Sequence, residues 1–228
     1  MTALWIALGV LAVLVVALLV TARVLTRPPR GERERARISD LTNSSSVDRA
    51  TGAVTSVQRA DLLIDRDALE ELWAAPNLER LARTYWRFLS RITLGLIQVR
   101  YTPPGRAICV IGTPLRLLTF EAPEYEIDGA RALVRWRIAG GLLLARRGRG
   151  RGYLKIEVTR SEEGSGDRAR LHVEVEVASF YPSIASGLGM GLYNATQSRI
   201  HVIVTYSFLR SLARLDLAES RIGYLEAR

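Results

Sequence analysis

Leu171-His172-Val173-Glu174-Val175-Glu176-Val177 is the stretch whose reading decides the fold. Leu171, Val173, Val175 and Val177 point one way, and His172, Glu174 and Glu176 the other. That period of two belongs to a β-strand with one dry and one wet face. Upstream, Tyr153 to Val158 repeats it, with Leu154, Ile156 and Val158 opposing Lys155 and Glu157. Arg131 to Ile138 repeats it again, and the Asp128-Gly129 pair ahead of it is a hairpin signal. Arg and Glu recur on adjacent wet faces, which suits cross-strand pairing. These segments predict an antiparallel sheet.

Further upstream the apolar runs shorten. Leu94 to Tyr101, Arg106 to Ile111 and Leu115 to Phe120 read as strands, separated by Thr102-Pro103-Pro104-Gly105 and by Gly112 and Pro114. Val57 to Ile64 reads as an earlier strand. Between it and the meander, Asp67 and Glu70 form a capping-box arrangement before Leu69, Leu72 and Trp73. Pro76-Asn77 interrupts that helix. A second follows, with Leu78, Leu81, Tyr85, Phe88, Leu89 and Ile92 at spacings of three and four.

Downstream of the sheet, Pro182 to Leu215 predicts one long helix. At about 100° per residue its Tyr193, Gln197, Ile200, Val204 and Phe208 share a face broad enough to lie across a sheet. At the other end, Ala3 to Ala22 carries no charge, and about 20 such residues suffice to cross a bilayer as a helix. Arg23, Arg27, Arg30, Arg33, Arg35 and Arg37 follow directly, which places the N-terminus outside and the rest in the cytoplasm. The expectation is therefore three parts. Residues 1–25 are a transmembrane anchor, 26–56 a basic juxtamembrane segment and polar linker, and 57–228 a cytoplasmic α+β domain. The fold class expected is α+β: a single N-terminal transmembrane helix, then an antiparallel sheet wrapped on a long C-terminal helix, located at the cell membrane as a single-pass protein.

The 228 residues carry a net charge of +9, and Lys155 is the lone lysine among 32 basic side chains. Four of those charges crowd into Arg146-Arg147-Gly148-Arg149-Gly150-Arg151, read as a hairpin tip joining two strands, and Arg146, Arg147, Arg149 and Arg151 are candidates for anionic lipid headgroups. Four arginines account for that crowding. Aromatics do not interleave them, so no nucleic-acid partner is expected. A P-loop, nucleophile elbow and dinucleotide fingerprint are all missing from the sequence, so no cofactor and no catalytic residue is assigned. His172 and His201 stand apart without ligand-spaced companions, so no metal is expected. A single cysteine, Cys109, rules out an internal disulfide.

Strand, two short helices, a meander of strands and a long final helix: this order resembles the helix-grip, or START-like, superfamily. The resemblance implies a cavity between the sheet and the last helix that holds an apolar or amphiphilic molecule. It would make Tyr193, Gln197 and His201, at successive i+4 positions, candidate ligand contacts. The function expected is a membrane-anchored binding protein for a lipid-like small molecule at the cytoplasmic surface. The alternative is a tethered domain docking a membrane protein. Chemistry on a lipid-like substrate is a third reading.

Overall fold

The computed structural model describes residues 36–102, 105–161, 167–183 and 208. They form a nine-stranded antiparallel sheet and two helices. The strands are β1 (Ala36–Val47), β2 (Val54–Asp65), β3 (Ile97–Thr102), β4 (Gly105–Val110), β5 (Arg116–Glu121), β6 (Glu124–Ile127), β7 (Arg131–Gly140), β8 (Tyr153–Ser161) and β9 (Arg168–Phe180). The helices are α1 (Arg66–Leu72) and α2 (Ala75–Ile92). The strand order is β1-β2-β9-β8-β7-β5-β4-β3, with β6 paired to β7 beside β5.

The decisive stretch lies in the middle of β9. Val173 pairs with Ala60 of β2 on one side and Val158 of β8 on the other, and all three face the core. On the opposite face the same strands carry a charged ladder. Lys155 Nζ lies 2.9 Å from Glu157, 3.0 Å from Glu174 and 3.0 Å from Glu176. Arg59 reaches Glu174 at 2.7 Å, and Arg131 reaches Glu157 at 2.6 Å. Burial opposes the charge on Lys155, yet its hydrogen bonds to the three carboxylates outweigh it and hold the ammonium above its ordinary range. Burial likewise raises Glu157 and Glu174, but their cationic partners win and both carboxyls sit below the ordinary value.

On the dry face lies α2. Its Leu78, Leu81, Ala82, Tyr85, Trp86 and Phe88 are buried, the spacing of three and four that one helix face provides. Pro76 falls in its first turn, where a missing N–H costs nothing. Trp86 makes edge contacts with Trp136 and with Phe120, ring centroids 5.3 Å apart in both cases. Phe208 is fully buried with its ring 5.6 Å from that of Tyr85.

Several expectations are corrected. The fold class is one of antiparallel sheet with α2 as the long helix among the described residues, not an α+β chain built on a transmembrane helix and a long C-terminal helix. Of 184–228 only Phe208 is described, so no long C-terminal helix appears among the described residues. Among the described residues, no helix is long and apolar enough to cross a membrane. Physically, α2 has 18 residues, but Glu79, Arg80, Arg83, Arg87 and Arg91 make it amphipathic. The single-pass anchor and the cell-membrane address derived from it are corrected accordingly, and Ala3 to Ala22 lies outside the described residues.

The stretch read as a polar linker contains β1. Its register on β2 sets Asn43 against Gln58 and Ser45 against Ser56, and those side chains join: Gln58 Nε2 donates to Asn43 Oδ1 at 3.0 Å, and the Ser45 and Ser56 hydroxyls are 3.0 Å apart. The β1–β2 turn closes on Asp48, whose carboxylate accepts from the Ala50 and Thr51 amides and from the Thr51 hydroxyl.

Candidate functional site

The most unusual group of side chains lies on the dry face, where β3, β4, β6 and β7 meet the first half of α2. Strand parity sends Arg106 inward. It pairs with Phe120 across β5 and with Tyr101 across β3, and Phe120 belongs to the core. Gly105 fixes this arrangement, because a Cβ there would lie 1.9 Å from the Phe120 carbonyl oxygen. Only glycine lets β5 approach so closely at the entry to β4.

Arg106 is 7% exposed. Its Cζ lies 5.1 Å from the ring centroid of Tyr101 and 5.1 Å from that of Trp136, so two aromatic rings flank the guanidinium. Nη2 donates to the Tyr125 hydroxyl at 3.4 Å, whereas Nη1 has no partner among the described residues. Burial pushes the Tyr125 phenol up against the pull of the Arg106 charge, so it remains a neutral hydroxyl. Tyr101 and Tyr125 are 45% and 40% exposed, and form a rim over the buried cation.

Across from these strands, α2 contributes Glu79 and Arg83, 3.7 Å apart at i and i+4. Arg83 also stands 5.8 Å from the Tyr101 ring centroid. Glu79 Oε2, Arg83 Nη1, Trp86 Nε1 and Trp136 Nε1 are buried without a hydrogen-bond partner among the described residues. Buried polar atoms are ordinarily satisfied, so a concentration of three open donors and one open acceptor around one patch calls for an explanation. Aromatic walls with a few convergent polar groups are the chemistry of a small-molecule site. Among the described residues, no group of three or more His, Cys, Asp or Glu is placed to hold a metal.

The residues singled out from sequence fall elsewhere. Tyr193, Gln197 and His201 lie outside the described residues. Arg146 and Arg147 occupy a short 3-10 turn between β7 and β8, with Arg149 and Arg151 following, and all four are exposed. This loop is not a projecting tip. The Ala145 amide donates to the Tyr181 carbonyl at 2.8 Å, and a Cβ on buried Gly148 would meet Tyr181 Cβ at 2.7 Å. Arg147 lies over the Tyr181 ring, its Cζ 5.5 Å from the centroid. None of the four arginines forms an ion pair among the described residues.

The sequence did hold one signal for the Arg106 group. In Arg106-Ala107-Ile108-Cys109-Val110, the arginine shares the parity of Ile108, so it stands where an apolar side chain belongs. Glu79 and Arg83 carried none, since charges on a helix usually face water.

No protein-family model matches the chain, and no curated protein matches it. Similar solved structures include human StAR-related lipid transfer protein 5, with 9% identity over 82% of this chain and 90% of that one, at a TM-score of 0.37. Norcoclaurine synthase from Thalictrum flavum shares 13% identity over 69% of this chain and 88% of its own, at 0.31. CalU16 from Micromonospora echinospora, in its solution NMR structure, shares 14% over 84% and 81%, also at 0.31. The likeness is loose, and no residue of the site is argued from it.

Proposed function

We propose that this chain binds an amphiphilic small molecule whose apolar body lies along the aromatic wall of Trp86, Trp136 and Phe120, with its polar end toward Arg106. The observation that carries this reading is the set of unpartnered buried atoms, Arg106 Nη1, Arg83 Nη1 and the two indole N–H groups, within an otherwise apolar interior. Each open donor costs about 1–3 kcal/mol of desolvation that a ligand acceptor restores. The role is holding or presenting the molecule. Native mass spectrometry of the full-length protein, purified without added amphiphile, tests it. A co-purifying small molecule lost in Trp136→Arg supports the reading; a chain that is consistently empty and takes up no amphiphile when challenged refutes it.

A second reading concerns the β7–β8 loop, where four exposed guanidiniums lack ion-pair partners among the described residues. They suit phosphate-bearing headgroups. Because Arg147 also packs on Tyr181, the clean perturbation is Arg146→Glu with Arg149→Glu and Arg151→Glu. Cosedimentation with phosphatidylglycerol vesicles should fall at least fivefold, and unchanged cosedimentation ends this reading.

A further inference from the structure

We infer that the polar end of the ligand is a carboxylate and that Arg106 is its counter-ion. This rests on the amphiphile reading above and narrows it. Among the described residues, the acid that α2 brings to this patch is Glu79, whose Oε1 is engaged with Arg83. Arg106 itself forms no ion pair with any described carboxylate, although it is more than nine-tenths buried. A buried charge without a counter-ion is far more costly than a buried neutral donor, so a neutral hydroxyl would leave most of the deficit in place. An anion removes it.

Geometry then selects among anions. With the rings of Tyr101 and Trp136 flanking the guanidinium, its edge is what remains to bond. Nη1 is open there, and Nη2 makes only the long 3.4 Å bond to Tyr125. A planar carboxylate fits such a fork with two parallel N–H···O bonds. Tyr125 and the open Trp136 indole N–H are the neighbouring groups that would border it. A dianionic phosphate would bring a second charge near Glu79, whose Oε2 already lacks a donor. The apolar wall accounts for the tail. The ligand class is therefore an alkyl or aryl carboxylic acid.

The test uses full-length protein and a matched pair of probes, dodecanoate and 1-dodecanol, titrated calorimetrically below micellar concentrations. Dodecanoate should bind at least tenfold more tightly than the alcohol. Arg106→Gln should reduce that preference to about twofold, chiefly by weakening dodecanoate. Arg106→Lys, which keeps the charge and loses the fork, should retain part of the preference and guards against a folding defect. The exposed Arg116→Gln should retain all of it. Equal binding of the two probes to the wild type overturns the carboxylate assignment and leaves the amphiphile site standing, as does a preference that survives Arg106→Gln. Binding of neither probe overturns both.

Discussion

If Arg106 is kept for a ligand, the empty protein should be more stable without it. Arg106→Met removes a cation that is 7% exposed while preserving length and most of the contact with Trp136 and Tyr101. Several contributions compete. Leaving Nη1 unbonded costs about 1–3 kcal/mol, and burying the charge itself adds more. Against this, two flanking rings return about 1–2 kcal/mol each, and the long bond to Tyr125 returns less than the usual ~1.5 kcal/mol for a charged donor. Methionine keeps a sulfur–aromatic contact of about 0.3–1.5 kcal/mol with the same rings. The balance favours the variant by about 1–2 kcal/mol, within the range seen when buried ions are replaced by apolar groups. For a chain of this size that is a rise of about 2–8 °C in Tm. The assay is urea unfolding of ligand-stripped wild type and Arg106→Met, followed by far-UV circular dichroism. Added dodecanoate should then stabilise the wild type and not the variant. A variant less stable than wild type by about 1 kcal/mol or more would show that the guanidinium already has what it needs in the fold, and the case for a missing counter-ion would collapse.

Other perturbations probe the frame around that site. Lys155→Met strips three carboxylates of their shared cation and should cost about 3 kcal/mol by thermal or urea unfolding near neutral pH, as expected for breaking a part-buried network. Glu157 and Glu174 have depressed pKa values in the fold, so the stability they contribute is present above the ordinary carboxyl value of 4.5 and lost as pH falls through their folded values. Lys155 is shifted upward, so its contribution persists through neutral pH and is lost only above the ordinary lysine range. A urea midpoint that declines below about pH 4.5 in wild type and much less in Lys155→Met is the expected pattern; parallel profiles would contradict it. Gly105→Ala must push β5 away from β4 and should cost about 3 kcal/mol or more, with loss of dodecanoate binding, because the same movement displaces Arg106. Phe208→Ala deletes a fully buried ring and should cost about 3–5 kcal/mol. An effect below about 1 kcal/mol would mean that this part of the chain contributes little to the core.

The parts legible from sequence were those where a single periodicity ran long enough to exclude its rival. Strands β8 and β9 were marked by unbroken alternation, β7 by alternation interrupted at Leu133, and α2 by Leu78, Leu81, Tyr85 and Phe88 at helical spacing. Strand β1 was illegible for a definite reason. Its Asn43 and Ser45 are exposed and polar and bond the buried Gln58 and Ser56 on the neighbouring strand, so hydrophobic patterning has nothing to detect. The same limit governs the site. Helical arithmetic on 193–201 located a face of polar groups, but such arithmetic places residues only along their own element. The Arg106 cluster draws on β3, β4, β6, β7 and α2, and no spacing within one segment encodes that meeting. What one segment does encode is a violation: an arginine in register with Ile108, preceded by a glycine that the next strand makes obligatory. Strand rules make such a residue costly, and a costly residue held in place by its neighbours is the kind a binding site retains. The break in the pattern, rather than the pattern, points to function here.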